Sequence, residues 1–125
     1  MRNIDQEMAN SVHQYVSHRV FGDDRQKQKY LSQSLKLGTS VHNAGLVGTF
    51  AYMLSKINDH RPMLEDLTKV LSDNQNTSPD QLLATLRGLS LAEYSLMTQK
   101  AILALSWFKK FSQIYFAEEP ATEEN

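Results

Sequence analysis

The sequence predicts an all-α protein, a compact bundle of about six helices with a long buried helix at the C-terminal end. Apolar residues recur every three or four positions along most of the 125 residues, which is the spacing of one face of a helix. No run of four or more residues alternates between apolar and polar side chains, and no Asn-Gly or Asp-Gly pair marks a hairpin. With 41% hydrophobic residues the chain can bury one core, so we expect one domain.

The first two predicted helices cover about residues 4–20 and 25–37. Gly22 ends the first, and Gly38 is placed to end the second in the left-handed conformation that glycine tolerates. Steps of three and four residues give the inward stripes: Ile4, Met8, Val12, Tyr15 or Val16, and Val20 in the first helix, and Tyr30, Leu31, Ser34 and Leu35 in the second.

The third and fourth predicted helices follow these glycines. Ser40 caps a helix over residues 41–57, whose small residues around Gly45 and Gly48 allow another helix to pack closely. These glycines do not form a phosphate loop, because no strand precedes them and no Gly-Lys-Ser/Thr sequence follows. Pro62 suits the first turn of a fourth helix that continues to Leu71.

The last two predicted helices have the clearest start signals. Ser78 with Gln81 forms a capping box and is followed by Pro79, opening a short helix that ends at Gly88. Ser90 with Glu93 forms a second capping box before a helix over residues 91–116. Apolar positions cover more than half the circumference of that helix, so it should be buried on several sides. We therefore predict one helical domain over residues 1–117 and a flexible acidic tail over residues 118–125.

The charge of the chain is unevenly distributed. Four of the 14 acidic residues lie in the tail, whereas all 13 lysines and arginines precede it, so residues 1–117 carry a net charge of +3. A dedicated nucleic-acid binder usually shows a stronger basic bias. A net charge of +3 is compatible with binding to nucleic acid, but it does not by itself predict such binding.

The sequence contains almost none of the residue patterns that are typical of catalytic or metal-binding sites. The chain has no cysteine, and His13 and His18 are five residues apart, which separates them around a helix and excludes an i, i+4 metal pair. The remaining histidines and the adjacent carboxylates have no partner in sequence that would make a site: His42, His60, Asp23 with Asp24, and Glu65 with Asp66. No serine lies in a Gly-x-Ser-x-Gly motif. We predict no enzyme activity, no metal and no cofactor.

The N-terminal residues are polar and acidic, unlike a secretory signal, and the longest apolar run, residues 101–105, is far too short to cross a membrane. We therefore expect a cytoplasmic protein that does not contact a membrane.

Lys109 and Lys110 interrupt the apolar end of the last helix, beside Trp107, Phe108 and Phe111. Two interpretations stay open. The lysines can lie over apolar neighbours near the helix end, where its dipole favours positive charge. Alternatively, they contribute to a surface that binds phosphate groups.

The closing helix also resembles a known family. Tyr94, Thr98 and residues 107–111 are similar to the terminal signature of the small subunit of type III-B CRISPR effector complexes, the fifth subunit of the Cmr assembly. Further matches occur in the same order and at similar distances: Gln6 and Ala9, then Ala44-Gly45-Leu46 and Thr49-Phe50-Ala51-Tyr52. The resemblance covers about residues 2–116, and the order of the motifs gives it specificity.

The resemblance implies an all-α, non-catalytic subunit of an antiviral ribonucleoprotein. Its copies would stack into an inner filament beside the backbone subunits, which hold the guide RNA and cut the target RNA. The implied partners are the other Cmr subunits, especially the backbone subunit, further copies of this chain, and guide and target RNA. The alternative that composition leaves open is a helical adaptor or homo-oligomer that binds no nucleic acid.

A role in lining the RNA groove requires cations along a rigid helical surface, since guide pairing selects the sequence. Lys109 and Lys110 lie in the matching motif. Four further candidates are chosen only because they are basic: Arg19, Lys36, Lys56 and Arg87.

Overall fold

The computed structural model describes residues 3–73 and 75–117, and within them it contains five helices and no strand. The helices are α1 (Ile4–Ser17), α2 (Asp24–Ser55), α3 (Ile57–Leu71), α4 (Pro79–Arg87) and α5 (Leu91–Phe116). The predicted all-α fold class is confirmed. The predicted acidic tail, residues 118–125, lies outside the described residues.

The main difference from the predicted elements is at α2, which includes the two helices predicted over residues 25–37 and 41–57. Gly38 does not end a helix, because Leu37 and Val41 are both buried and the helix continues between them. The break lies instead at Gly45, whose φ of 80° and ψ of 167° are not helical. Ser40 and Thr49 hydrogen bond across this break, with 2.9 Å between their hydroxyl oxygens, so the two halves of α2 lie side by side.

Tyr94 of α5 stabilises the break in α2. Its hydroxyl accepts a hydrogen bond from the backbone N–H of Val47 at 2.9 Å, which replaces the bond that the interrupted helix does not supply. A Cβ atom added at Gly45 would lie 3.4 Å from the same hydroxyl, and positive φ already disfavours other residues. Gly45 is therefore required by the chain reversal, in addition to the close packing that its small size predicts.

The start of α3 also differs from its predicted position. The helix begins at Ile57, only one residue after α2 ends, and Pro62 lies inside it and not in the first turn. The N–H groups of Asp59 and His60 both bond to the carbonyl of Lys56, and these bonds form the first turn. Residues 57–61 are thus helical and not part of a connecting loop.

Three residues of the predicted inward stripes are exposed, Ile4, Val20 and Leu35. α1 ends at Ser17, so Val20 follows the helix instead of extending its stripe, and its side chain is 86% exposed. Leu35 is exposed because Tyr30, Ser34 and Leu37 already occupy the buried side of α2. Leu91, at the first turn of α5, is also exposed.

The core surrounds the C-terminal part of α5, which packs against α1, α2 and α3. Its buried residues are Ala101, Ala104, Leu105, Phe108, Ser112 and Phe116. Both predicted capping boxes, at Ser78 and at Ser90, are present. None of the described helices, the apolar α5 included, has the length and hydropathy that a membrane span requires.

A buried polar cluster connects the end of α1 to α2 and α3. Asp66, 3% exposed, accepts hydrogen bonds from the Tyr30 hydroxyl at 2.7 Å and from Arg19 Nε at 3.1 Å. A second Arg19 nitrogen bonds to the other oxygen of Asp66 and to the Pro62 carbonyl. Burial, followed by the charge of Asp66, raises the pKa of Tyr30, so the hydroxyl stays a donor.

Candidate nucleic-acid interface

The six cations that the sequence suggested for RNA contact are distributed over several elements of the fold. Lys109 and Lys110 lie in α5, Arg87 ends α4, and Lys36 lies in the first half of α2. Lys56 is the single residue between α2 and α3, and Arg19 follows α1. Of these six, only Lys36 lines a cavity between α2 and the start of α3.

Arg19 already has protein partners. Its guanidinium pairs with the carboxylate of Asp66 and donates to the Pro62 carbonyl, and its side chain is only 21% exposed. These contacts give Arg19 a structural role. Its contact with RNA stays a prediction. Such a contact would require Arg19 to give up its pairing with Asp66 in the buried cluster.

Lys109 and Lys110 are both exposed but differ in their surroundings. Lys110 Nζ lies 4.5 Å from the centre of the Trp107 ring, a cation–π geometry that supports the packing interpretation for this residue. Both lysines lie at least six residues before the end of α5, beyond the last turn to which the dipole effect is confined. The structure gives Lys109 no such aromatic contact among the described residues.

Trp107 belongs to an apolar surface that we call the α1–α5 face. It is formed by Ile4, Leu96, Leu103, Trp107, Phe111, Ile114 and Tyr115. Trp107 stacks on Phe111 with 5.4 Å between ring centroids, and its Nε1 donates to Asp5 Oδ1 at 2.9 Å. Ile4, Leu96 and Ile114 are each about two-thirds exposed or more.

Two features extend the α1–α5 face. At one end, a cavity of about 460 Å³ opens between Ile4, Leu96 and Leu103. At the other end, the ring of His13 lies edge-on to Phe111, and its Nε2 is 2.7 Å from the Tyr115 hydroxyl. Exposed apolar side chains around a cavity are typical of a protein–protein contact.

A different surface, which we call the α2–α3 furrow, lies between α2 and the start of α3. It consists of two neighbouring cavities, of about 390 and about 340 Å³, that share Lys29, Gln33 and Asp59 in their walls. Its basic lining residues are Arg25, Lys29, Lys36, His60 and Arg61. Its carboxylates are Asp23 and Asp59. Four permanent cations therefore face two carboxylates.

An ion pair crosses the furrow between its two cavities. Lys29 Nζ lies 2.5 Å from Asp59 Oδ1, and Gln33 Nε2 donates to the backbone carbonyl of Asp59 at 2.7 Å. The hydrogen bond and the charge of Lys29 lower the pKa of Asp59, so this carboxylate is ionised at neutral pH. The pair is accessible, with side chains 35% and 54% exposed.

Most of the furrow was not predicted from the sequence. Arg25, Lys29 and Gln33 recur at four-residue steps along one side of α2, a signal that was present in the sequence. Arg61 and His60 could not be added to it, because the fourth helix was predicted to begin at Pro62 and so left them in a loop. Tyr52, 56% exposed and edge-on to His60, was placed only as a family match.

No three His, Asp or Glu side chains come together as a possible metal site in residues 3–73 and 75–117.

The family model described as CRISPR-associated protein (Cas_Cmr5) matches residues 4–115, nearly the whole chain. The chain belongs to the Cas_Cmr5 family. Its fold is similar to the crystal structure of a CRISPR-associated Cmr5 family protein from Thermus thermophilus, with a TM-score of 0.78 and 27% sequence identity. That match covers 94% of this chain and 100% of the other. No curated protein sequence matches this chain.

Membership of this family confirms the resemblance that the closing helix suggested. The chain is a small subunit of the type III-B CRISPR effector class. The matched range includes all five helices except the last residue of α5, so the α1–α5 face and the α2–α3 furrow both lie within it.

Proposed function

We propose that this chain is a non-catalytic subunit that stacks into an inner filament of the type III-B effector and lines the groove for guide and target RNA. The observation that carries the proposal is family membership over residues 4–115, combined with two separate exposed surfaces of different chemistry. The subunit would act in antiviral defence in the cytoplasm, with the other Cmr subunits as its partners.

The α2–α3 furrow supports contact with RNA. Its cations lie on helices, which hold them at fixed positions, and a phosphate backbone can be bound by such cations without selecting a sequence. Sequence selection then belongs to the guide RNA. This arrangement suits a subunit that must accept any target.

The α1–α5 face supports contact with protein. Leu96 and Ile114 are both exposed on α5, separated by about 27 Å along the helix at 1.5 Å per residue. A surface of this length can pack against a neighbouring copy or the backbone subunit, and it leaves the furrow on other helices accessible.

Co-purification with the backbone subunit tests the proposal. The two chains are produced together with guide RNA, and the stoichiometry of the particle is measured by native mass spectrometry. We expect several copies of this chain per particle and a loss of target-RNA affinity when it is omitted. A particle that assembles and binds target RNA equally well without this chain would contradict the proposal.

A second candidate, a helical adaptor or homo-oligomer that binds no nucleic acid, is favoured by the overall charge of −1 and by the exposed α1–α5 face. Light scattering over a range of concentrations, with and without RNA, separates the two. Self-association that RNA does not change would favour the adaptor.

A further inference from the structure

The α2–α3 furrow has two cation-lined cavities, and the Lys29–Asp59 ion pair lies between them. Arg25 and Arg61 line the cavity on one side of the pair, and Lys36 lines the cavity on the other. Because both members of the pair line both cavities, opening it would join the two into one groove. The carboxylate of Asp59 is the negative charge in the middle of this groove.

We propose that the α2–α3 furrow binds the backbone of single-stranded RNA, and that an RNA phosphate takes the place of the Asp59 carboxylate on Lys29. This inference rests on the proposed function and adds to it the site, the form of the RNA and the group that competes with it. Asp59 acts as an internal substitute for phosphate, which keeps Lys29 positioned in the empty furrow.

The length of the furrow suits a short stretch of polymer. Arg25 and Lys36 are 11 residues apart on α2, a separation of about 16 Å along the helix. Between them, Lys29 and Gln33 lie on the same side of α2, and Arg61 lies on the opposite wall. An extended ligand with repeated negative charge can contact these groups in turn, whereas a single small anion would contact only one cavity.

Tyr52 favours a single strand over a duplex. Its ring is 56% exposed at the end of the furrow and is held edge-on by His60, with 5.6 Å between ring centroids. An unpaired base can stack on such a ring, but a base inside a duplex is already stacked. The aromatic residue beside the cations therefore selects strands whose bases are accessible.

The same helix provides a matched control for the ion pair. Lys27 and Asp24 form a second pair on α2, with 3.7 Å between Nζ and Oδ1. Lys27 and Lys29 are almost equally exposed, at 34% and 35%. Lys27 does not line either cavity of the furrow. Substitutions in the two pairs thus change the same charges at different positions.

The test measures affinity of the full chain for a fluorescent single-stranded oligouridine by anisotropy, at several salt concentrations. Asp59→Asn should tighten binding by roughly two- to fivefold, because exposed ion pairs contribute little and the competing charge is removed. Lys29→Ala should weaken binding and reduce the slope of log K against log salt by about 0.7, the value for one phosphate contact on a single strand. Asp24→Asn and Lys27→Ala should change neither quantity.

Further variants test the form of the RNA. Tyr52→Leu should weaken oligouridine binding, and a duplex of the same length should bind less tightly than the single strand. Circular dichroism and urea unfolding of each variant establish that the fold is retained. Tyr52 is exposed and Lys29 is on the surface, so both variants should fold normally.

Three results would overturn the inference: equal effects of the two Asp→Asn variants, equal effects of the two Lys→Ala variants, or duplex binding that matches the single strand. An acidic peptide that competes with oligouridine at equal charge would also overturn it, since the furrow would then bind protein. Co-purification with the backbone subunit is measured separately on the unsubstituted chain. Assembly without furrow binding rejects this inference alone, whereas furrow binding without assembly rejects the proposed function.

Discussion

The α2–α3 furrow and the α1–α5 face use the same kind of helical surface for opposite chemistry. In the furrow, cations and amides line shallow cavities, and the central contact is an accessible ion pair. On the α1–α5 face, aromatic and aliphatic side chains lie in the open, and the lysine nearest to them covers a tryptophan ring. The difference indicates that the furrow suits a polyanion and the face suits protein.

The largest expected effect comes from the buried cluster that connects the end of α1 to α2 and α3. Asp66→Ala leaves Arg19 and Tyr30 without their shared acceptor, and breaking a buried pair of this kind costs about 3 kcal/mol of unfolding free energy. Urea unfolding measures the loss. Tyr30→Phe removes one neutral donor and should cost about 1 kcal/mol. If the two variants are equally stable, Asp66 does not hold the helices together.

The next effect concerns the joint between the helix that carries the furrow and the helix that carries the face. Gly45→Ala places a side chain at φ 80° and should destabilise the fold by about 1–2 kcal/mol. Gly38→Ala is the control, because Gly38 is helical with nothing near its missing Cβ, and it should stabilise by about 0.5–1 kcal/mol. Thermal unfolding of both variants measures whether each substitution stabilises or destabilises the fold. If both substitutions change the stability in the same direction, the break is not at Gly45.

A smaller effect separates the two surfaces directly. The double variant Leu96→Ser, Ile114→Ser should weaken assembly with the other subunits about tenfold, or about 1.4 kcal/mol, because exposed apolar contact is lost. Its stability should change by less than about 0.5 kcal/mol, and its oligouridine affinity should not change. Val20→Ser is the control, because it removes an apolar residue that lies outside the face and is even more exposed. Native mass spectrometry measures the assembly, and equal losses in both variants would argue against the face.

The smallest effect decides between the two interpretations of the adjacent lysines. Lys110→Ala should lower the unfolding free energy by about 0.5 kcal/mol, since it removes the cation over Trp107. Lys109→Ala should leave stability unchanged. Target-RNA affinity of the assembly is then measured for both variants. A loss of affinity with Lys109→Ala would place an RNA contact on α5, outside the furrow, and weaken the contrast between the surfaces.

Sequence periodicity was sufficient for the fold class and for the start of α5, because a 26-residue apolar helix with a capping box has few alternatives. It could not select which glycine breaks α2. Gly38 and Gly45 look alike locally, and the choice depends on Tyr94, 47 residues after Val47, whose hydroxyl satisfies the N–H that the break leaves open. Such a long-range contact has no local signature.

The candidate site was harder to predict for a related reason. Lys36 was selected because it is basic, but its neighbours in the furrow come from a helix whose start was predicted five residues too late. Arg19 was selected on the same basis, yet it pairs with Asp66, 47 residues away. Charge alone does not distinguish a cation that binds a ligand from one that binds the protein itself.

The break at Gly45 also affects how much loop closure each of the two surfaces requires. It places the walls of the furrow within one continuous stretch of chain, so that Lys29 and Asp59 are only 30 residues apart. The α1–α5 face joins the chain ends, and Asp5 and Trp107 are 102 residues apart. Contacts with short sequence separation require less loop closure. The two walls of the furrow can therefore meet at a lower cost in loop closure than the two helices of the α1–α5 face.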